Sequence, residues 1–431
     1  MIKRLIKKKS IANIGVYMFS TSINQAIPFL MLPILTVYLI PKDFGYINTF
    51  SAILVIVNSI VGGGLAVNIS KNYFVKDCKY LKLLMGNLYF ILLCSTILIF
   101  GINLFLTAVL NIGFIPQNLF ILIPFISFFF VSFEFLKTRF KIKKQALPFT
   151  VATLGEVILN ISLSLLLIIG LYMQWEGRVY AISFSYFAFG MGAMFYFIYK
   201  KYVKFSIDKK ILKGIISLVL PLLPAGISIM VMRKSGILFV DSFLGKTQSG
   251  LYGVALSIST IILFLSLPFI NTWIPHIYKK LAEKDDKDQT ISLRNSLFLF
   301  SIFILSVCLL VSLASGFILK LMTTDAFFEA KIYIPWLVFG FAFWAIYSMY
   351  LPFFIHKGKQ KFIAMIACAG AGLNILLNFL VVNNGAQGIA ISFFVSNFLT
   401  YLLVFLSVRT FIKLPIFPDF KRMGLMIRGL K

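Results

Sequence analysis

The chain has 431 residues, of which 60% are hydrophobic and only 13% charged, and its net charge is +27. A soluble domain carries about 25% charged residues, and no single soluble core could bury this much apolar side chain, so a soluble globular protein is excluded. The basic residues form short clusters between apolar runs, a pattern typical of the loops of membrane proteins and not of a nucleic-acid-binding surface. We therefore expect an integral membrane protein with no nucleic-acid partner.

A membrane-spanning helix needs about 20 mainly apolar residues, and cutting the sequence at charged and turn-rich stretches gives twelve candidates. In chain order the first six are 11–39, 46–69, 84–108, 119–136, 147–169 and 179–199. After a basic linker come 214–240, 251–275, 296–319, 332–355, 362–382 and 386–408. The first segment is too long for one straight span and contains Pro28 and Pro33, which favours a kinked or tilted helix.

The lysines and arginines predict the orientation of these helices. If the N-terminus is cytoplasmic, 34 of the 41 basic residues, Arg139 among them, lie in cytoplasmic segments, and five, Arg178 among them, lie in outside segments. The remaining two, Arg233 and Lys234, lie within the seventh helix. This bias predicts a multi-pass protein of the inner (cytoplasmic) membrane with both termini in the cytoplasm and an even number of spans. No segment between helices is long enough for a folded extramembrane domain.

Weak internal similarity predicts that the chain consists of two related halves. The matched positions, at offsets of 205 to 209 residues, are Gly45 with Gly250, Tyr73 with Tyr278, and Ala181 with Ala390. Residues 1–205 and 206–431 would then each form a bundle of six helices. Because six is even, the two halves insert in the same orientation and are related by an axis along the membrane normal, with the substrate path between them.

Two stretches resemble a known family. They are PFLMLPILTVYLIPKDFGYINTFSAI at 28–53 and LPLLPAGISIMVMRKSGILFVDSFLGKTQSGLYGVALSIS at 220–259. They are similar to the Wzx-like flippases of lipid-linked oligosaccharides, part of the multidrug/oligosaccharidyl-lipid/polysaccharide exporter superfamily. One departure is that Arg233 is followed by Lys234, where family members often place an acid next to the arginine.

The resemblance implies an all-α, V-shaped bundle that works by alternating access around a polar cavity. It implies transfer of an undecaprenyl-pyrophosphate-linked oligosaccharide from the cytoplasmic to the outer leaflet, for the biosynthesis of lipopolysaccharide O-antigen or capsule. The expected partners are the lipid-linked oligosaccharide, membrane lipids and a polysaccharide polymerase. The candidate coupling ions are H⁺ and Na⁺, and no cofactor is expected.

Ionisable residues inside a membrane span cost about 2.5–3.5 kcal/mol each, so they are candidates for function. At least one of Arg233 and Lys234 is predicted to face the substrate cavity, because a cation there would bind a pyrophosphate. The alternative is that both side chains extend to the membrane interface. Asp241 lies on the same face of the helix as Lys234, two turns further on.

Glu156 lies near the middle of the fifth helix and is the predicted coupling residue. A carboxyl group in a low-dielectric environment binds a proton more readily, which suits proton coupling. The alternative is a protonated glutamic acid that bonds to a neighbouring helix. The amides Asn24, Gln25, Asn160 and Asn374 complete the predicted cavity, since amides bind sugar hydroxyls, although amides also hold helices together.

Two other functions compete with a flippase. A drug/ion antiporter of the same superfamily would share the topology, but such proteins typically carry an acid in the first helix, and here none precedes Asp43. A glycan polymerase or acyl transferase needs acids, bases or nucleophiles clustered on one face. The acids predicted outside lie in separate loops, so neither catalytic residues nor a metal site are predicted, and the chain is not expected to be an enzyme.

Overall fold

The computed structural model describes residues 29–108, 115–282 and 287–412, which form helices and contain no β-strand. Within these described ranges, ten helical segments are long and apolar enough to cross a membrane. One of them, Gln360–Val408, contains two helices joined by a short turn, and the shorter apolar helix Phe29–Tyr38 belongs to the predicted first span. The prediction of an all-α membrane protein with about a dozen spans is therefore confirmed.

By its internal contacts the chain divides into two compact units, Met1–Gly253 and Val254–Lys431. The helices of the first unit are α1 (Phe29–Tyr38), α2 (Pro41–Gly62), α3 (Leu65–Asn72), α4 (Cys78–Ala108), α5 (Gln117–Ile142), α6 (Ala146–Leu165, continued by a π-turn, Leu166–Gly170), α7 (Gln174–Tyr199), α8 (Lys209–Val219) and α9 (Leu223–Leu244). Helix α10 (Lys246–Ser259) contains the division point. The boundary after residue 205 concerns the internal repeat, and it stays a prediction.

The described residues of the second unit contain seven further helices and two short 3₁₀ turns. They are α11 (Ile261–Ala282), α12 (Lys287–Leu313), α13 (Ser315–Met322), a 3₁₀ turn (Asp325–Ile332), α14 (Ile334–Ser348), α15 (Leu351–His356), α16 (Gln360–Val381), a second turn (Val382–Asn384) and α17 (Gly385–Ile412). Helix α14 packs against α12 and α17, and α17 packs against α16.

Several predicted spans are broken helices. The predicted second span ends as α2 and resumes as α3 because Gly64 adopts a left-handed conformation with φ of 78°, which glycine tolerates without steric strain. The predicted seventh span is divided into α8 and α9 around Pro221 and Pro224. Proline lacks the N–H that a helix interior requires, so the helix breaks here. Hydropathy measures only how apolar a segment is, and it therefore did not reveal the break.

Helix α6 has apolar side chains on its exposed face and polar side chains on its buried face. Large apolar side chains such as Leu147, Val151 and Ile158 are 63–75% exposed. The buried face instead carries the polar residues Thr153, Glu156, Asn160 and Ser164. An apolar exterior around a polar interior is expected for a helix bundle that faces lipid, because ionisable side chains in a membrane face the bundle interior.

Candidate functional site

A buried arginine joins α6 and α7. Arg178 lies four residues after the start of α7 and is 8% exposed. Its Nη1 donates hydrogen bonds to Oδ1 of Asn160 at 2.5 Å and to Oγ of Ser164 at 2.6 Å. Asn160 and Ser164 are one helical turn apart on α6, so they face the same neighbour. The connection from Leu171 to Met173 is short, which brings the first turn of α7 back against the last turns of α6.

Glu156 lies one turn before Asn160 on the same buried face and is 5% exposed. Its carboxyl group interacts electrostatically with Lys137 on α5 and with Arg178 on α7. Coulombic interactions are several times stronger in a protein interior than in water. The predicted coupling carboxyl therefore belongs to a network of charges contributed by three helices.

The third member of this network is Lys137. It is 8% exposed, forms an ion pair with Glu134 one turn away, and has its Nζ 4.7 Å from the centroid of the Phe133 ring. We call Glu134, Lys137, Glu156 and Arg178 the charged cluster. It is contained entirely in the first unit.

Sequence reasoning identified Glu156 but missed the role of Arg178, which it counted among the outside segments. The available signal was the spacing of polar residues on α6. Glu156, Asn160 and Ser164 follow at intervals of four, which marks one polar face of a helix. A polar face inside the bundle needs partners on the next helix, and Arg178 is the first basic residue after α6.

The second unit contains a comparable network without charge. Asn374 Nδ2 on α16 donates to Ser396 Oγ on α17 at 2.9 Å, and Ser392 Oγ donates to the carbonyl oxygen of Asn374 at 3.3 Å.

The predicted cavity residues of α9 lie at two levels. Arg233 and Lys234 are half-buried in the middle of the helix. Asp241 is buried near its end, where its carboxylate forms an ion pair of 2.6 Å with Lys246 Nζ. Asp241 thus has a partner that the sequence reasoning had not predicted. That lysine also lies 4.8 Å from the ring centroid of Tyr46 on α2.

At this ion pair, α2 and the first turns of α10 are in backbone contact. A Cβ added to Gly45 would overlap the carbonyl group of Lys246, and one added to Gly250 would overlap that of Pro41. Gly45 and Gly250 are the pair aligned by the predicted repeat. Only glycine permits so close an approach of two backbones. We refer to Gly45, Tyr46, Asp241, Lys246 and Gly250 as the α2–α10 contact.

The structure therefore brings together some of the predicted site residues. Glu156 and Asn160 share one buried face, and Asp241 closes an ion pair at the end of α9. Asn374 belongs to the network of the second unit. Asn24 and Gln25 lie outside the described residues.

Two protein-family models match this sequence. One, described as polysaccharide biosynthesis protein, matches residues 10–280, which is more than half of the chain. The chain belongs to the polysaccharide biosynthesis protein family. The second model, MatE, matches residues 221–380. Membership of this family makes the chain a membrane transporter or flippase of the multidrug/oligosaccharidyl-lipid/polysaccharide exporter superfamily and not an enzyme.

Solved transporters share the fold of this family member. An inward-facing multidrug resistance MATE transporter has a TM-score of 0.71 at 16% identity, over 90% of this chain and 94% of its own. The lipid II flippase MurJ in an inward closed conformation has a TM-score of 0.68 at 14% identity, over 93% and 87%. An outward-facing MATE transporter has a TM-score of 0.58 at 17% identity, over 94% and 95%. No curated protein sequence matches the chain at a significant level.

Proposed function

We propose that this protein is a flippase for lipid-linked oligosaccharide repeat units. It would move an undecaprenyl-pyrophosphate-linked glycan from the cytoplasmic to the outer leaflet of the inner membrane, for O-antigen or capsule biosynthesis. The observation that carries the proposal is the match of the polysaccharide biosynthesis family model to residues 10–280. A polysaccharide polymerase that consumes the flipped units is the expected partner.

The proposed site combines cations for the pyrophosphate with amides for the sugars. Arg233 and Lys234 would attract the pyrophosphate, since charge-assisted hydrogen bonds to phosphate are about twice as strong as neutral ones. Asn160 and Asn374 are proposed as sugar ligands, together with Asn24 and Gln25, and Asp241 as a residue that closes one end of the path.

Glu156 is the proposed coupling residue, with H⁺ or Na⁺ as the coupling ion. It is buried, it has a carboxyl group that can bind either ion, and it interacts with charges on two neighbouring helices. Occupation by a cation would weaken its attraction to Lys137 and Arg178. Such a change biases a helix bundle with two arrangements toward one of them.

The function is tested by deleting the gene in its native host and measuring both products of the step. A flippase deletion should abolish surface polysaccharide and cause lipid-linked repeat units to accumulate on the cytoplasmic side. A drug/ion antiporter, which the MatE match and the MATE structures keep as the second candidate, would instead leave the glycan unchanged and raise susceptibility to toxic cations. That second result would refute the flippase.

Replacing both Arg233 and Lys234 by alanine should reduce export of surface glycan by about tenfold or more, because each charge-assisted hydrogen bond contributes about 1.5–3 kcal/mol. Arg233→Lys should have a smaller effect, since it keeps the charge and loses only the bidentate geometry. Surface glycan and membrane abundance are measured in parallel. Normal export by the double variant at normal abundance would show that these cations do not contact the substrate.

Both termini are proposed to be cytoplasmic, on the basis of the basic residues in the sequence. A fluorescent reporter fused after Lys431 should fluoresce, and alkaline phosphatase fused at the same point should be inactive. A phosphatase fusion in the connection after Tyr172 should be active, because this connection is predicted outside. An active phosphatase at the C-terminus would contradict the orientation.

A further inference from the structure

A cavity of about 260 Å³ lies among α3, α4, α5 and the segment that follows α7. Four basic residues line it, and none of the described lining residues is acidic: Lys76, Lys82, Arg139 and Lys143. We call these four residues and their cavity the basic pocket. Apolar side chains such as Ile69, Leu81 and Phe197 line the rest. The nearby acid Asp77 accepts a hydrogen bond from the backbone N–H of Tyr80 and is not among the lining residues.

Arg139 is the central residue of the basic pocket. It is only 8% exposed, and its Cζ lies 3.5 Å from the ring centroid of Tyr202. Its Nε is buried and has no hydrogen-bond partner among the residues that the structure describes. A buried donor without an acceptor costs about 1–3 kcal/mol, and more when it is charged. Buried polar atoms almost always have partners, so this nitrogen points to an acceptor that the described residues do not supply.

The electrostatic environment of the pocket is positive. Lys143 Nζ lies 5.3 Å from the centroid of the same Tyr202 ring. A hydrogen bond from the Arg139 guanidinium, together with the charges of Lys143 and Arg139, lowers the pKa of Tyr202 and outweighs the opposing effect of its burial. Groups that stabilise a phenolate in this way would also stabilise a bound anion.

Hydrogen bonds that do not use the charged groups of the four basic residues hold the wall of the pocket in place. The backbone N–H of Lys204 donates to the carbonyl oxygen of Lys82 at 2.9 Å. Asn87 donates to the carbonyl oxygen of Ser206 and accepts from the N–H of Asp208, both at 3.0 Å. A site that already has its bound conformation loses less conformational entropy when the ligand binds, so it binds that ligand more tightly.

We propose that the basic pocket binds the phosphate headgroup of a lipid at the membrane interface. The pocket lies where α4 begins and where α5 and α7 end, so it adjoins the ends of three spans. Basic pockets between membrane helices on the cytoplasmic side bind anionic headgroups. The guanidinium and ammonium groups would bind phosphate oxygens, and the apolar lining would contact the first carbons of the lipid.

Two lipids offer this chemistry. One is a resident anionic phospholipid. The other is the polyprenyl pyrophosphate group of the substrate, which undecaprenyl phosphate represents as a probe, and this assignment rests on the proposed function. A substrate bound here would be held at the interface before it enters the transport path. Net positive charge in cytoplasmic loops is a general property of membrane proteins. The control variant must therefore distinguish binding in the pocket from general attraction to the basic residues around it.

The experiment uses the purified full chain in detergent and native mass spectrometry. The probes, added separately, are phosphatidylglycerol, undecaprenyl phosphate, and phosphatidylcholine as a zwitterionic reference. Arg139→Gln with Lys143→Gln should lower retention of the anionic probes by roughly tenfold or more, because two charge-assisted bonds are lost. Lys79→Gln with Lys200→Gln removes the same charge from exposed residues that do not line the pocket, and it should retain them.

A second pair of substitutions tests whether the loss of lipid is caused by misfolding of the first variant. Lys76→Gln with Lys143→Gln leaves the buried Arg139 intact and should still weaken retention several-fold. Bound lipid should also slow alkylation of the exposed thiol of Cys78, which lines the cavity, and leave alkylation of Cys368 unchanged. Equal loss of lipid from the pocket variants and the Lys79/Lys200 control, or no preference for anionic probes over phosphatidylcholine, would overturn the proposal.

The two sources are distinguished by relative affinity. Tighter retention of undecaprenyl phosphate supports a substrate-loading site, and equal or tighter retention of phosphatidylglycerol supports a structural lipid. If the deletion experiment refutes the flippase while retention of phosphatidylglycerol still depends on Arg139, the proposed function fails and the pocket stands.

Discussion

Replacing Arg178 by methionine is expected to lower the membrane abundance of the protein several-fold and to abolish export. The change removes the donor to Asn160 and Ser164 and the cation that interacts with Glu156. Asn160 and Ser164 lose their donor, and hydrogen bonds to a charged group contribute about 1.5–3 kcal/mol each; Glu156 also loses one of its two neighbouring cations. Together these losses are a large fraction of the roughly 5–15 kcal/mol by which a typical domain is stable.

Adding Glu156→Gln to Arg178→Met should restore part of the abundance, since a neutral amide has no charge to compensate, while the two hydrogen bonds from Arg178 stay lost. It should not restore export, because the proposed coupling carboxyl is then missing. Glu156→Gln alone should insert normally and export poorly. Abundance by immunoblot, thermal unfolding of the purified variants and surface glycan together separate stability from transport.

The matched control for this cycle is Asn374→Ala in the second unit. It removes one neutral hydrogen bond to Ser396, and such bonds between membrane helices contribute about 0.6 kcal/mol on average. Its effect on abundance should therefore be small. Wild-type export by Glu156→Gln at every external pH tested would leave Glu156 with a role in packing only.

Gly250→Ala is expected to reduce export by more than tenfold while the protein still inserts into the membrane. The added methyl group would overlap the backbone carbonyl of Pro41, and a backbone group cannot move aside as a flexible side chain can. The two segments must separate, which also weakens the ion pair between Asp241 and Lys246. If transport requires this end of the path to close, the variant would be held in an open arrangement.

The control is Gly226→Ala on α9, where an added Cβ meets no atom within 4 Å. Separation is measured by disulfide cross-linking between cysteines placed at Tyr46 and Lys246, in a background without the four native cysteines. Gly250→Ala should lower the cross-linking yield, and Gly226→Ala should not. Unchanged cross-linking with normal export would show that the α2–α10 contact tolerates the methyl group and does not gate transport.

Part of the candidate site was predictable from single residues in their local context. Glu156 stands out because a carboxyl group in the middle of an apolar helix is costly, and the structure has it buried. Asn160 was chosen as a sugar ligand, and the structure shows it as an acceptor for Arg178. The amide was recognisable as functional or structural, but its partner was not, since the partner is on another helix.

The sequence by itself determined that this chain is an all-α membrane protein with about a dozen spans, because hydropathy is local and lipid requires each span to be apolar along its length. Only the tertiary structure decided which polar groups meet. Arg178 and Arg139 were counted as loop charges, yet both are buried, one between α6 and α7 and the other in the basic pocket. The physical reason is that the burial of a side chain depends on which helices pack together and how each is rotated about its axis. Neighbours distant in the sequence set both of these.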